Sequence, residues 1–257
     1  LPAVVPGAFD ARMLLLLNYG TMSLREVLEP AISIAKKGYP LVPNIVNTIK
    51  SVEQLFREEW KSSAEIYLPK GNLPQAGDFF TNNKMAETYI RIINEAEAKS
   101  NDKKEQIQSA REIWSKGFIA DAIDDYCKNV EVMDTTETRH KGLLTGDDLA
   151  DWSATIEKPC SYDYKNYTVC ETGPWGQGPT FLQQLALLQG FDLDLLDEKS
   201  PEFVHLVVES TKLAFADREA FYGDTNFNDV PMEILLSEKY NVERRKLISQ
   251  NASMEVR

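Results

Sequence analysis

Apolar residues recur at helical spacing along most of this chain, and start and stop residues bracket the runs. Ala11-Arg-Met-Leu-Leu-Leu-Leu17 holds a leucine tetrad and reads as a buried helix. Ser23-Leu-Arg-Glu26 has the form of a capping box. Leu24, Val27, Leu28, Ala31 and Ala35 then share a face up to a stop at Gly38. Residues 44–60 repeat the period, with Ile45, Ile49, Val52 and Phe56 on one side. Residues 67–80 hold Pro69, Gly71, Pro74 and Gly77 and read as loop or short turns. Helical spacing resumes over 83–93 and 110–128, the latter with Ile113, Trp114, Phe118, Ile119, Ala122 and Ile123. Between them, 95–107 is rich in Lys, Glu, Gln and Asn and reads as an exposed helix or a surface insertion. Residues 132–141 are polar and irregular.

Beyond this point the period changes. Thr145-Gly-Asp-Asp148 is a second capping pattern, opening a short helix to Trp152. Residues 154–157 and 167–171 carry β-prone Thr155, Ile156, Tyr167, Thr168 and Val169, with a turn-like 162–166 between them. Gly173-Pro-Trp-Gly-Gln-Gly-Pro179 follows as a glycine-rich elbow into the apolar helix Thr180-Phe-Leu-Gln-Gln-Leu-Ala-Leu-Leu188. Ser200-Pro201-Glu202 starts another helix, with Val204, Val207, Val208, Thr211, Phe215 and Arg218 on one face and a stop at Gly223. The fold class expected is α+β: a mostly helical 1–141, then a hairpin, the elbow and helices over 142–257. A single hairpin is not stable without a larger sheet or packed helices, so the pattern points to strands supplied from outside this sequence.

Composition narrows the function. The 257 residues are 43% hydrophobic, enough for a sizeable core. The formal charge is −12, with Lys and Arg dispersed, which speaks against nucleic acid and anionic membranes as partners. No run reaches the roughly 18 apolar residues of a membrane span. The chain opens on Leu1 and no signal peptide is visible. Location stays open, with the cytoplasm favoured over export. Cys127, Cys160 and Cys170 are too few and too odd for a disulfide framework, though Cys160 and Cys170 could face each other across the hairpin. No pair has zinc spacing, and His140 and His205 are the only histidines, so a His/Cys metal site is not expected.

The elbow is the best candidate for chemistry. A backbone bent between strand and helix can aim several N–H groups at one spot, where a helix start favours negative charge. Trp175, Gly176, Gln177, Gly178 and Thr180 are accordingly substrate-pocket candidates. The plainer reading is a strand-to-helix turn with glycines at positive φ and Pro179 at the helix start. Asp217-Arg218-Glu219 and Tyr222-Gly-Asp224 could hold a loop near a site, but an ion-paired helix end with a glycine stop is preferred. Asp124-Asp125 and Asp147-Asp148 are neighbours about 100° apart on a helix, not an acid/base pair. His205 reads as a core histidine and His140 as solvated. Trp114 and Trp152 read as core, leaving Trp175 as the one plausible ligand contact. Asn166-Tyr-Thr and Asn251-Ala-Ser fit the glycosylation pattern, a weak signal that needs a secretory context.

Several segments, in order, resemble the γ-glutamyltranspeptidase family of N-terminal nucleophile hydrolases. They are Val5-Pro-Gly7, Asn18-Tyr-Gly-Thr-Met22, Glu29-Pro-Ala-Ile32, Gly142-Leu-Leu-Thr145 with Asp148-Leu149, the strand pair 159–169, the elbow, Lys212-Leu-Ala-Phe-Ala-Asp-Arg-Glu219, Tyr222-Gly-Asp224 and Val230-Pro231. Trp175-Gly-Gln-Gly stands where typical transpeptidases have Ser-Ser-Gly-Gly, which leans toward an acylase-like branch. The resemblance implies an αββα sandwich of which 1–257 is a partial large-subunit region. It implies acyl transfer from a small γ-glutamyl amide such as glutathione, without a cofactor. It also implies an N-terminal Thr nucleophile in a small subunit cut from the same precursor. No catalytic residue is then expected in this chain, and the piece alone is expected to be inactive. Asp217, Arg218, Tyr222 and Asp224 would be structural residues near the site. An acylase acting on another amide or a cephalosporin-type side chain is the alternative within enzymes. A non-catalytic helical scaffold or binding subunit is the alternative outside them.

Overall fold

The computed structural model describes residues 3–134 and 136–255, which divide into two units, Leu1–Thr155 and Ile156–Arg257. In the first unit, α1 (Ala8–Tyr19), α2 (Leu24–Lys37), α3 (Pro43–Ser51), α4 (Glu53–Glu58), α5 (Lys61–Tyr67), α6 (Asn83–Lys99), α7 (Lys103–Lys116), α8 (Phe118–Asn129) and α9 (Gly146–Asp151) follow one another. Both capping boxes form. Ser23 accepts from Glu26 N while Glu26 reaches back to Ser23 N at 2.7 Å, and Thr145 and Asp148 do the same at the start of α9.

The core of this unit joins α1, α2, α6 and α7 through Phe9, Met13, Leu24, Leu28, Ile32, Ile92, Ile93, Ile107 and Ile113. Phe9 stacks on Trp114 with centroids 4.4 Å apart. On α2 the buried residues are Leu24, Leu28 and Ile32, so the face is centred one position away from the expected Ala31, and Val27 is exposed. On α1 only Phe9, Asp10 and Met13 are buried, and Leu15 faces outward. Asp10 is held by Arg111 Nε and Nη2 at 2.6 and 3.0 Å and by Ala154 N–H at 2.8 Å. This bidentate pair ties α1, α7 and the end of the unit together.

Other expectations shift in detail. Residues 44–60 break at Val52 into α3 and α4, with Ile49 and Phe56 in a satellite core under Leu68. Residues 95–107 are no insertion loop: they are the end of α6 and the start of α7, with Ala96 and Ile107 buried. Residues 110–128 break at Gly117. The polar stretch near 132–141 forms a small antiparallel pair, β3 (Glu131–Met133) with β4 (Arg139–Lys141), and β1 (Tyr39–Pro40) pairs β2 (Phe79–Phe80).

The second unit opens with the hairpin β5 (Cys160–Tyr164) and β6 (Tyr167–Glu171), whose turn places Lys165 at positive φ. The first strand lies later than the expected 154–157, because pairing follows the register of Tyr162 on Val169 rather than β-propensity alone. Cys160 pairs with Glu171 and Ser161 with Cys170, so the two cysteines are not opposite each other, and all three thiols are free. After the elbow come α10 (Gly178–Leu188), α11 (Pro201–Phe221), α12 (Met232–Leu235) and α13 (Glu238–Arg245).

Helix α11 reverses the reading of its faces. It buries Glu209, Ser210, Leu213, Ala214 and Asp217 against its own unit. The expected apolar face instead looks outward, with Val204, Val208 and Phe215 at 51%, 44% and 39% exposure. Periodicity finds an apolar stripe but not which neighbour will cover it. The two buried carboxylates are matched by partners, some of them from beyond the helix. Glu209 accepts from Lys212 Nζ at 2.6 Å and from Ser253 N–H at 3.1 Å.

Candidate functional site

The elbow is a strand-to-helix turn, and its geometry revises one expectation. None of Gly173, Gly176 and Gly178 lies at positive φ. At Gly178 the requirement is close approach: a Cβ there would stand 2.8 Å from Glu171 Cβ and 2.9 Å from the Thr172 backbone nitrogen. Any other side chain would push β6 off the start of α10. Gly176 N–H donates to Gly173 carbonyl at 3.0 Å and Thr180 N–H to Gln177 carbonyl at 3.1 Å. Among the described residues, the N–H groups of Trp175, Gln177 and Gly178 are left without a partner. The elbow therefore offers backbone donors at the start of an eleven-residue helix with Pro179 in its first turn.

Two long side chains extend from the turn, and each is fixed by a residue outside it. Trp175 is 56% exposed and donates its indole N–H to Glu157 Oε2 at 2.7 Å. Gln177 is exposed and accepts from Arg218 Nη1 at 2.7 Å. Thr180 points inward, where its hydroxyl and that of Tyr222 are both buried without a well-formed hydrogen bond. Burial pushes the Tyr222 phenol up to about 12; the neighbouring Thr180 hydroxyl offsets part of this and the Asp217 charge adds to it.

Asp217, Arg218 and Glu219 point three ways from α11, as successive helical residues must. Asp217 is buried and accepts from Gln183 Nε2 at 2.5 Å, Tyr240 hydroxyl at 3.0 Å and Arg244 Nη2 at 2.9 Å. It locks α10, α11 and α13 together. Arg218 turns to the elbow, and Glu219 is exposed beside it. Asp224 caps the turn beyond α11, accepting from Asn226 N–H at 2.9 Å. Thus Trp175, Gly176, Gln177 and Arg218 are brought together at one place. Thr180, Tyr222 and Asp217 form the layer beneath, and Asp224 serves the following loop.

Sequence reasoning missed Glu157, Gln183, Tyr240 and Arg244. Gln183 carried a signal, a polar residue inside an apolar helical run. Glu157 carried none. His205 is half-buried rather than core, its Nε2 2.7 Å from the Ser249 carbonyl, and His140 pairs with Asp134 at 2.7 Å. Among the described residues no group of three His, Cys, Asp or Glu could hold a metal ion, and no helix is long and apolar enough to cross a membrane.

The family profile described as gamma-glutamyltranspeptidase matches residues 1–257, and the chain belongs to that family. It is 30% identical over 237 residues to the glutathione hydrolase-like YwrD proenzyme of Bacillus subtilis strain 168, covering 92% of this chain and 40% of that protein. The solved structure of LmbA2991HD superposes with a TM-score of 0.91 at 47% identity, covering 98% of this chain and 42% of the other. The cephalosporin acylase of Bacillus halodurans does so with a TM-score of 0.80 at 29% identity, covering 97% and 44%. The chain spans less than half the length of these relatives. Its fold is the α+β portion of an N-terminal nucleophile hydrolase, in a family of glutathione hydrolases and acylases.

Proposed function

We propose that residues 1–257 are a large-subunit region of an enzyme that transfers the acyl group of a γ-glutamyl amide, glutathione being the type of substrate. The whole-chain family match carries this reading. The nucleophile is a Thr at the start of a small subunit released from the same precursor, and it attacks the amide carbonyl to form an acyl-enzyme. Water or an amine resolves that intermediate. The elbow, with Trp175, Gly176, Gln177, Gly178 and Thr180, lines the acyl pocket; Asp217, Arg218, Tyr222 and Asp224 support it. The outward apolar stripe of Val204, Val208 and Phe215 supports the two-subunit reading, since a further part of the protein would have it to cover.

A second reading, an acylase on another amide or a cephalosporin-type side chain, is favoured by the structural likeness to a cephalosporin acylase and by the Trp175-Gly-Gln-Gly elbow. The test is steady-state hydrolysis by full-length processed protein of a γ-glutamyl anilide against a glutaryl anilide. Turnover of the first with release of two subunits on a denaturing gel supports the main reading. Turnover of the glutaryl compound alone moves the assignment to the acylase. A precursor that is never cut and acts on neither sinks both.

A further inference from the structure

Each nitrogen of the Arg218 guanidinium makes a contact, and one of its faces is covered. Its guanidinium lies over the Phe215 ring, 4.4 Å from the centroid. Nε donates to Glu219 Oε1 at 3.0 Å, and Nη2 donates to the same oxygen. Nη1 donates to Gln177 Oε1 at 2.7 Å. A guanidinium carries donors only, so the Gln177 amide must present its oxygen to Arg218. The amide is planar, and its NH2 is therefore turned the other way. Among the described residues nothing takes up those two N–H donors. Gln177 also stands at the N-cap of α10 without making a capping bond. The oxygen that could close the first helical turn is committed to Arg218 instead.

We propose that Arg218 is a positioning residue that makes Gln177 a one-way hydrogen-bond donor. The pocket then selects acyl chains bearing an acceptor, carboxylate or carbonyl, at the end remote from the reacting amide. The proposal rests on the reading that the elbow lines the acyl pocket. A glutamine free to rotate would offer either end of its amide and would accept an ammonium group equally well. Pinned by Arg218, it turns its donors to the side away from that residue.

The test uses full-length processed protein and whichever of the γ-glutamyl and glutaryl anilides the wild type turns over. Gln177→Glu keeps the Arg218 contact and removes the donors. Gln177 is exposed, so this variant is expected to fold, and its Tm and processed fraction are checked against wild type. KM should rise about tenfold or more, the range for losing a hydrogen bond to a charged group, with kcat within about threefold. Arg218→Ala should raise KM in the same direction by less, and Arg218→Lys should restore part of it. The Gln177→Ala/Arg218→Ala double variant should be no worse than Gln177→Ala alone, because Arg218 acts through Gln177. An unchanged KM in Gln177→Glu, or additive effects in the double variant, overturns the proposal. Trp175→Ala separates the two levels. If it alters KM while Gln177→Glu does not, the elbow lines the pocket and the donor role falls. If neither alters KM, the elbow reading falls and takes the proposal with it.

Discussion

Replacing Asp217 is the sharpest test of how the second unit is held together. Asp217 is 4% exposed, and its carboxylate receives Gln183, Tyr240 and Arg244. Gln183 is completely buried, and the Arg244 side chain is only partly exposed, at 19%. Asp217→Ala leaves an amide and a guanidinium facing an empty space that water does not readily fill. Removing one partner of a buried ion pair costs about 3–5 kcal/mol. The three bonds share one carboxylate, so their separate values do not add, and a loss of about 3–4 kcal/mol is expected. Asp217→Asn keeps the shape and one acceptor but turns a donor toward a donor, and should lose about half as much. The assay is urea unfolding of the full-length protein, with the slope against denaturant checked for constancy. A cycle with Arg244→Ala should show a coupling of about 1–3 kcal/mol. A loss below about 1 kcal/mol for Asp217→Ala, or strict additivity with Arg244→Ala, refutes the claim that this carboxylate locks the three helices.

Three further outcomes are expected. Burial alone would raise the Asp10 pKa, but the Arg111 bonds and the Ala154 N–H outweigh it and hold the carboxyl below its ordinary range. A depressed folded pKa stabilises fully above the unfolded value near about 4 and is lost as pH falls through the lower folded value, so Arg111→Met should remove that acid limb from a stability–pH curve. Ser23→Ala should cost about 1 kcal/mol in thermal unfolding by removing the capping box of α2, and an unchanged Tm would count against the box. Gly178→Ala should lower stability by about 1–3 kcal/mol, because the new methyl meets Glu171 and backbone Thr172; a neutral result would show that β6 shifts freely there.

Local chemistry was legible in the sequence wherever a few consecutive residues decide the outcome. Ser23 with Glu26 and Thr145 with Asp148 start helices by reciprocal bonds that any reader of the sequence can place. The Ser200 cap, which accepts from Phe203 N–H at 3.1 Å, is of the same kind. What was not legible depends on distant partners. Val204, Val208 and Phe215 read as one shared apolar face and Asp217 as part of an ion-paired helix end, yet α11 buries Glu209 and Asp217 instead, because α13 and the 251–255 segment bring the polar partners. The same reason hid the holder of Trp175, since Glu157 lies eighteen positions away. The elbow itself was recognised, but its glycines were credited with backbone conformation when their service is to let Glu171 and Thr172 come close.

The far end of α10 bears on how the elbow behaves as a mechanical part. Arg245 donates to the Ala186 carbonyl at 3.3 Å and pairs with Glu238 at 2.8 Å, and its side chain occupies the space beside Gly190 that a Cβ would need. With Gln183 tied to Asp217 at mid-length, α10 is a strut clamped at its middle and its tail. Its head cannot swing without dragging α11 and α13. The backbone of the elbow is therefore held where the strut puts it, and the freedom left there lies in the Trp175 and Gln177 side chains, each on its own tether.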